Sequence, residues 1–137
     1  MLIYGFYGIG KTSIKDGMEM VDMEDFGQPS LPILLDAVEK YPIVLADPQW
    51  ENPILQSKIP FTVVIPTPDR KEEFQHNYRE RYKRGTGGGD DKFCKIIYDN
   101  WDRWLDYCKR LPAETIIELE KGEWLIDAIN YMKADNK

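Results

Sequence analysis

The sequence predicts an α/β protein: a three-layer sandwich of about five mainly parallel strands with helices on both faces, in one domain spanning 1–137. Three observations predict it. Short apolar runs are continuous and not alternating, the mark of strands buried on both faces of a parallel sheet. Helix-like stretches lie between them, as parallel crossovers require. The length, 137 residues and 16.1 kDa, allows one core and not two.

The elements follow in order. Leu2-Ile3-Tyr4 is the first strand, and Met20-Val21 is a weaker second. Ile43-Val44-Leu45-Ala46, Phe61-Thr62-Val63-Val64-Ile65 and Thr115-Ile116-Ile117-Glu118-Leu119 complete the set. A short helix is expected from Thr12 to Met18, weakened by Gly17. Ser30 is placed to cap a helix running to Lys40, with Pro32 in its first turn and Leu34 and Val38 on one face. Asn52-Pro53 opens a short helix ending near Ser57. Asp69 is the expected cap of a helix over 69–84, in which Phe74, Tyr78 and Tyr82 form an i, i+4, i+8 packing stripe. Phe93, Ile97, Trp101, Trp104, Leu105 and Cys108 share a face of one long helix that starts at Asp90 or Asp91 and is stopped by Pro112. A last helix runs from Trp124 to about Met132, and 85–89, Gly-Thr-Gly-Gly-Gly, reads as a flexible hinge.

One motif carries chemistry. Gly5-Phe6-Tyr7-Gly8-Ile9-Gly10-Lys11-Thr12 fits G-x-x-x-x-G-K-[ST], with a buried strand before it and a helix after it. This Walker A pattern over 5–12 predicts a P-loop NTPase sandwich. Gly8 and Gly10 permit backbone turns closed to other residues and a close approach to phosphate. The amides of Gly8 to Ser13, Ile9 included, form an anion cradle with the helix N-terminus. Lys11 supplies charge to the β- and γ-phosphates of ATP or GTP, and the Thr12 hydroxyl is the expected Mg²⁺ ligand.

Three further groups are candidates. Asp22 ends the weak second strand and could orient an acceptor, the alternative being an acidic surface turn with Glu24 and Asp25. Asp47 follows four apolar residues, a Walker-B-like pattern that puts a carboxylate in the metal's outer shell, although Pro48 makes a plain turn plausible. Arg79, Arg81 and Arg84, with Lys83, form a basic island on the 69–84 helix. With Arg70, Arg81 and Arg84 lie on one side of the tyrosine stripe and Arg79 on the other. The reading is an arginine lid for a transferring phosphate, against surface salt bridges with Glu80. His76, the sole histidine, reads as solvated, and Trp101, Trp104 and Trp124 as core.

Composition is that of a globular protein, 42% hydrophobic and 31% charged. A net charge of −6 disfavours loose nucleic-acid binding. No apolar run reaches membrane-span length and no basic segment precedes Leu2, so a cytoplasmic protein is expected, without membrane partners. Cys94 and Cys108 read as reduced thiols.

The P-loop near the start, the acidic cluster after the second strand, and Ile59-Pro60-Phe61-Thr62-Val63-Val64-Ile65-Pro66 resemble small phage-type P-loop kinases of the nucleoside monophosphate kinase kind. So do Arg79-Glu80-Arg81-Tyr82-Lys83-Arg84-Gly85, Asn100-Trp101 and Leu119-Glu120-Lys121-Gly122-Glu123-Trp124-Leu125. The resemblance implies ATP/Mg²⁺-dependent phosphoryl transfer to a small nucleotide acceptor. It gives Lys11, Thr12, Arg79, Arg81 and Arg84 phosphate roles, and turns Asp22 toward the acceptor. The alternatives are a phage kinase acting on polynucleotide ends or modified DNA bases, and a nucleotide-binding regulatory module without phosphotransfer. No feature sets the nucleobase or the oligomeric state.

Overall fold

The computed structural model describes residues 1–10, 19–85 and 91–135. The expected 12–18 helix lies outside them. Five strands form one all-parallel sheet: β1 (Leu2–Gly5), β2 (Met20–Asp22), β3 (Ile43–Ala46), β4 (Thr62–Pro66) and β5 (Thr115–Leu119), in the order β2-β3-β1-β4-β5. Tyr4 of β1 pairs with Ala46 of β3 on one side and Val63 of β4 on the other. The apolar runs are continuous because β1, β3 and β4 are buried along their whole length. β5 is an edge strand with Thr115, Ile116 and Glu118 exposed, which is why a charged residue is tolerated within it.

Six helices occur among the described residues: α1 (Leu31–Lys40), α2 (Glu51–Ser57), α3 (Lys71–Lys83), α4 (Asp91–Asp99), α5 (Trp101–Lys109) and α6 (Leu125–Asp135). α1 packs on α2 and β3, α3 on α4, α5 on β4, and α6 on β5. Ser30 stands at the α1 N-cap, but its side chain makes no capping bond; Pro in the first turn sets the start. α6 begins as expected, and Asp127 Oδ2 accepts from Trp124 N at 2.7 Å, satisfying one of the amides a helix start leaves open.

Three helix expectations change. The long helix expected before Pro112 is two, α4 and α5, parted at Asn100. The amide Nδ2 of Asn100 donates to Ile96 O at 2.8 Å and competes there with Asn100's own backbone N–H, at 3.1 Å to the same carbonyl. Asn is prone to this competition within a helix. The 69–84 helix is Lys71–Lys83, preceded by a 3-10 turn over Pro68–Arg70, so Asp69 lies within that turn and does not cap α3. The aromatic stripe ends at Tyr78: Phe74 and Tyr78 are core, whereas Tyr82, in the last turn of α3, is 47% exposed.

One buried charge joins the two ends of this region. Arg70 donates Nε and Nη2 to the two carboxylate oxygens of Glu73, both at 2.9 Å. Its Nη1 donates to the carbonyls of Leu119, Glu120 and Glu123 at 3.2, 3.0 and 2.8 Å. The guanidinium also lies over the rings of Phe74 and Trp124. Arg70 therefore ties the start of α3 to the turn before α6 and is not part of an exposed arginine edge. Its hydrogen bonds hold the Glu73 carboxyl below the usual carboxylate range.

Candidate functional site

The described part of the glycine loop leaves the C-terminal end of β1, the middle strand of the sheet. Phe6 N donates to Val64 O at 3.0 Å, and Leu125 N donates to Ile9 O at 2.8 Å, so strand β4 and the α6 start both grip it. Gly8 and Gly10 have φ of +79° and +99°, the backbone region that favours glycine. A Cβ on Gly8 would lie 2.7 Å from Cε1 of Tyr78. Tyr78 is the clamp here, since its hydroxyl donates to Tyr7 O at 2.7 Å. Ile9 is fully buried, and its carbonyl is taken by Leu125 N. Lys11, Thr12 and Ser13 follow Gly10 directly and lie outside the described residues, as do residues 86–90 with most of the expected hinge.

The two acidic candidates sit at different distances from the loop. Asp47 ends β3, directly beside β1, and is 4% exposed. Its Oδ1 accepts from Gln49 N at 2.9 Å and starts the Pro48–Trp50 3-10 turn. Asp22 ends β2, one strand further out, and its Oδ1 accepts from Glu24 N at 3.0 Å. Each carboxylate thus caps a turn with one oxygen. Asp47 and Glu24 also act on the Tyr7 phenol, which burial, followed by these charges and Cys108, pushes up to about 12.

Along α3 the arginines part company. Arg79 turns to the α4 side: with the Gln75 amide oriented to satisfy both neighbours, Gln75 donates to Cys94 O at 3.1 Å and accepts from Arg79 Nε at 3.3 Å. Arg81 is half-buried, and its charge works against the upward shift that burial imposes on Tyr78. That puts Arg81 in the field of the residue clamping the loop. Arg84 is exposed, 3.9 Å from Glu80, with Lys83 3.7 Å from the same carboxylate. Gly85, at φ +70°, caps the helix through Gly85 N to Tyr82 O at 3.0 Å. Phe74, Gln75 and Tyr78 are buried, so the first two turns of α3 belong to the body of the protein. His76 is exposed, as expected.

A cavity of about 560 Å³ adjoins the loop, between the ends of β1 and β3 and helix α5. Phe6, Tyr7, Trp104 and Tyr107 give it aromatic walls, and Gln49 and Arg103 add polar groups. Tyr107 OH donates to Glu51 Oε2 at 2.6 Å on its margin. The Tyr4 hydroxyl and the Cys108 thiol share a hydrogen bond at the floor, and burial drives the phenol far up and the thiol to about 11. Tyr7 packs edge-on against Phe6 and Phe93 at 5.8 and 5.2 Å, while its hydroxyl has no hydrogen-bond partner among the described residues.

Sequence reasoning nominated none of Gln49, Glu51, Arg103 or Tyr107, and it placed Trp104 in the core with Trp101. Trp101 is core, 2% exposed, with Nε1 donating to Pro68 O at 2.9 Å, but Trp104 is half-buried and lines the cavity. Helical spacing puts both on one face; only α5's position on the sheet decides which edge of that face looks into a void. Both cysteines are buried, and neither is in a disulfide. No group of three or more His, Cys, Asp or Glu able to hold a metal occurs among the described residues, and no helix there is long and apolar enough to cross a membrane. Compared with known families, curated proteins and solved structures, the chain matches none.

Proposed function

We propose that this protein is a phosphotransferase that moves the γ-phosphoryl group of ATP or GTP, with Mg²⁺, to a small nucleotide acceptor. The observation that carries the proposal is the loop that follows the central strand β1: two glycines at positive φ, Gly8 and Gly10, the second followed at once by Lys11-Thr12. The sheet order supports it. The chain leaves β1 toward β2 on one side, whereas β4 leads to β5 on the other. Such a switch point opens a crevice at the carboxyl ends of the strands, where α/β proteins take ligands.

In this reading the loop amides from Gly8 to Ser13 hold the donor phosphates, and Lys11 neutralises the β- and γ-oxygens. The available donors fit Mg²⁺, which takes few protein oxygens and keeps its waters. Thr12 would be a direct ligand, and Asp47, with only Oδ1 engaged by Gln49, would hold a metal-bound water. A Mg²⁺ held there would supply positive charge against the phosphates. Asp22, a strand away, would face the acceptor. Arg81 and Arg84 would neutralise the transferring group, with Arg79 secondary because of its bond to Gln75.

The test is a screen of nucleosides, nucleoside monophosphates and DNA 5′ ends for phosphate transfer from labelled ATP and GTP. Transfer to a monophosphate, lost in Arg81→Ala through kcat more than through ATP affinity, is the expected result. Labelling of DNA ends would point to the polynucleotide kinase, and nucleotide binding without any acceptor-dependent transfer would point to the regulatory module.

A further inference from the structure

We infer that the aromatic cavity between the ends of β1 and β3 and helix α5 is the seat of the acceptor, and that it takes the base and sugar of a nucleoside monophosphate. The inference rests on the phosphotransferase reading and gives that reaction its second binding site.

Size comes first. About 560 Å³ lies in the roughly 300–1,000 Å³ range of pockets that enclose small organic ligands. Shape comes next. Trp104, Tyr7, Phe6 and Tyr107 present flat faces and edges, which suit a planar ring better than a branched aliphatic one. Base-on-aromatic stacking tolerates any base, because every base has a π-face. A few polar groups then fix the orientation. The Tyr7 hydroxyl is partnerless among the described residues, and the Gln49 amide is exposed at the wall. Glu51 has Oε2 engaged by Tyr107. These are donors and acceptors of the kind that read the polar edge of a base.

Charge selects the acceptor over the donor. Among the described residues, the cavity lining carries one cation, Arg103, against one carboxylate, Glu51. Arg103 is exposed on α5 and anchored by a hydrogen bond from Nη2 to Asn100 Oδ1. One guanidinium matches a monophosphate and falls short of a triphosphate. Phe6 and Tyr7 belong both to the cavity wall and to the glycine loop, so an acceptor seated here lies next to the backbone assigned to the donor phosphates, which starts at Gly8. Holding two reactants that close is what phosphoryl transfer asks of the protein.

The experiment uses the full chain and no ATP. The four deoxynucleoside monophosphates and their nucleosides are titrated separately, by calorimetry and by quenching of tryptophan fluorescence. At least one monophosphate should bind and quench. Gln49→Phe, which fills the cavity from an exposed position, should weaken that monophosphate at least tenfold and leave ATP–Mg²⁺ affinity unchanged. Arg103→Ala should weaken the monophosphate and spare its nucleoside, a split that loss of folding would not produce. Thermal midpoints check that both variants fold. The inference is overturned if no monophosphate binds, if Gln49→Phe leaves monophosphate affinity intact, or if it weakens ATP instead, which would put the donor's base here. Monophosphate binding without phosphate transfer would sustain the cavity and refute the phosphotransferase. Transfer at wild-type rates in Gln49→Phe would do the reverse.

Discussion

Replacing Gly8 with alanine asks how firmly the body of the protein holds the glycine loop. Gly8 sits at φ +79°, and an alanine Cβ would meet Tyr78 Cε1 at 2.7 Å. Tyr78 has little room to yield. It is 1% exposed, packs edge-on against Phe74, and spends its hydroxyl on Tyr7 O. Left-handed backbone costs an L-residue about 1–2 kcal/mol. Forcing a methyl group into a packed site costs about 1–3 kcal/mol more. Together these come to about 2–5 kcal/mol, a large part of the roughly 5–15 kcal/mol that stabilises a typical domain. Gly85 and Gly122 are internal controls, with φ of +70° and +90° and nothing within 4 Å of an added Cβ. Alanine there carries the backbone cost alone. Urea unfolding of the three variants, at a common slope, separates the terms. Gly8→Ala should lose about 1–3 kcal/mol more than either control. Equal losses at all three positions would refute the Tyr78 clamp.

Arg70→Met should destabilise by about 3 kcal/mol, the low end for breaking a buried pair, because Glu73 is 35% exposed and can be solvated; an unchanged urea midpoint would show that the Arg70 network adds nothing. Glu73 is held below its ordinary 4.5 by Arg70, so its contribution is complete above that value and is lost as pH falls through the lower folded value. Wild-type stability should therefore fall below about pH 4.5 more steeply than that of Glu73→Gln, and parallel acid profiles would contradict this. Cys108, pushed up to about 11, should react with iodoacetamide far more slowly at pH 8 than an unfolded thiol, and faster as pH rises. Labelling at the unfolded rate at pH 8 would contradict the buried Tyr4–Cys108 floor.

How much of this was legible in the sequence depended on whether the signal was local. β1, β3 and β4 showed as apolar runs because both their faces are covered, and the glycine loop showed because positive φ at Gly8 and Gly10 demands a residue type. The short β2 gave only two apolar residues, and its register with β3 supplies the rest. Arg70 looked like one more member of a basic helix, since nothing in its neighbourhood announces partners at Leu119, Glu120 and Glu123. Tyr82 kept the helical spacing of Phe74 and Tyr78 although it lies outside the core they join. The cavity was illegible for the same reason: β1, the turn after β3, α2 and α5 each supply part of it, and no period connects them.

The central claim is that Gly5–Thr12 holds nucleotide phosphates, and titration calorimetry of ATP–Mg²⁺ into the wild type and Lys11→Ala tests it most directly. Charge-assisted hydrogen bonds contribute about 1.5–3 kcal/mol, so affinity should fall roughly 10- to 150-fold in the variant. The thermal midpoint without ligand should stay the same, while the rise that ATP–Mg²⁺ gives the wild type should shrink in step with the affinity. Equal affinity for both proteins, or no heat of binding with the wild type, would contradict the account.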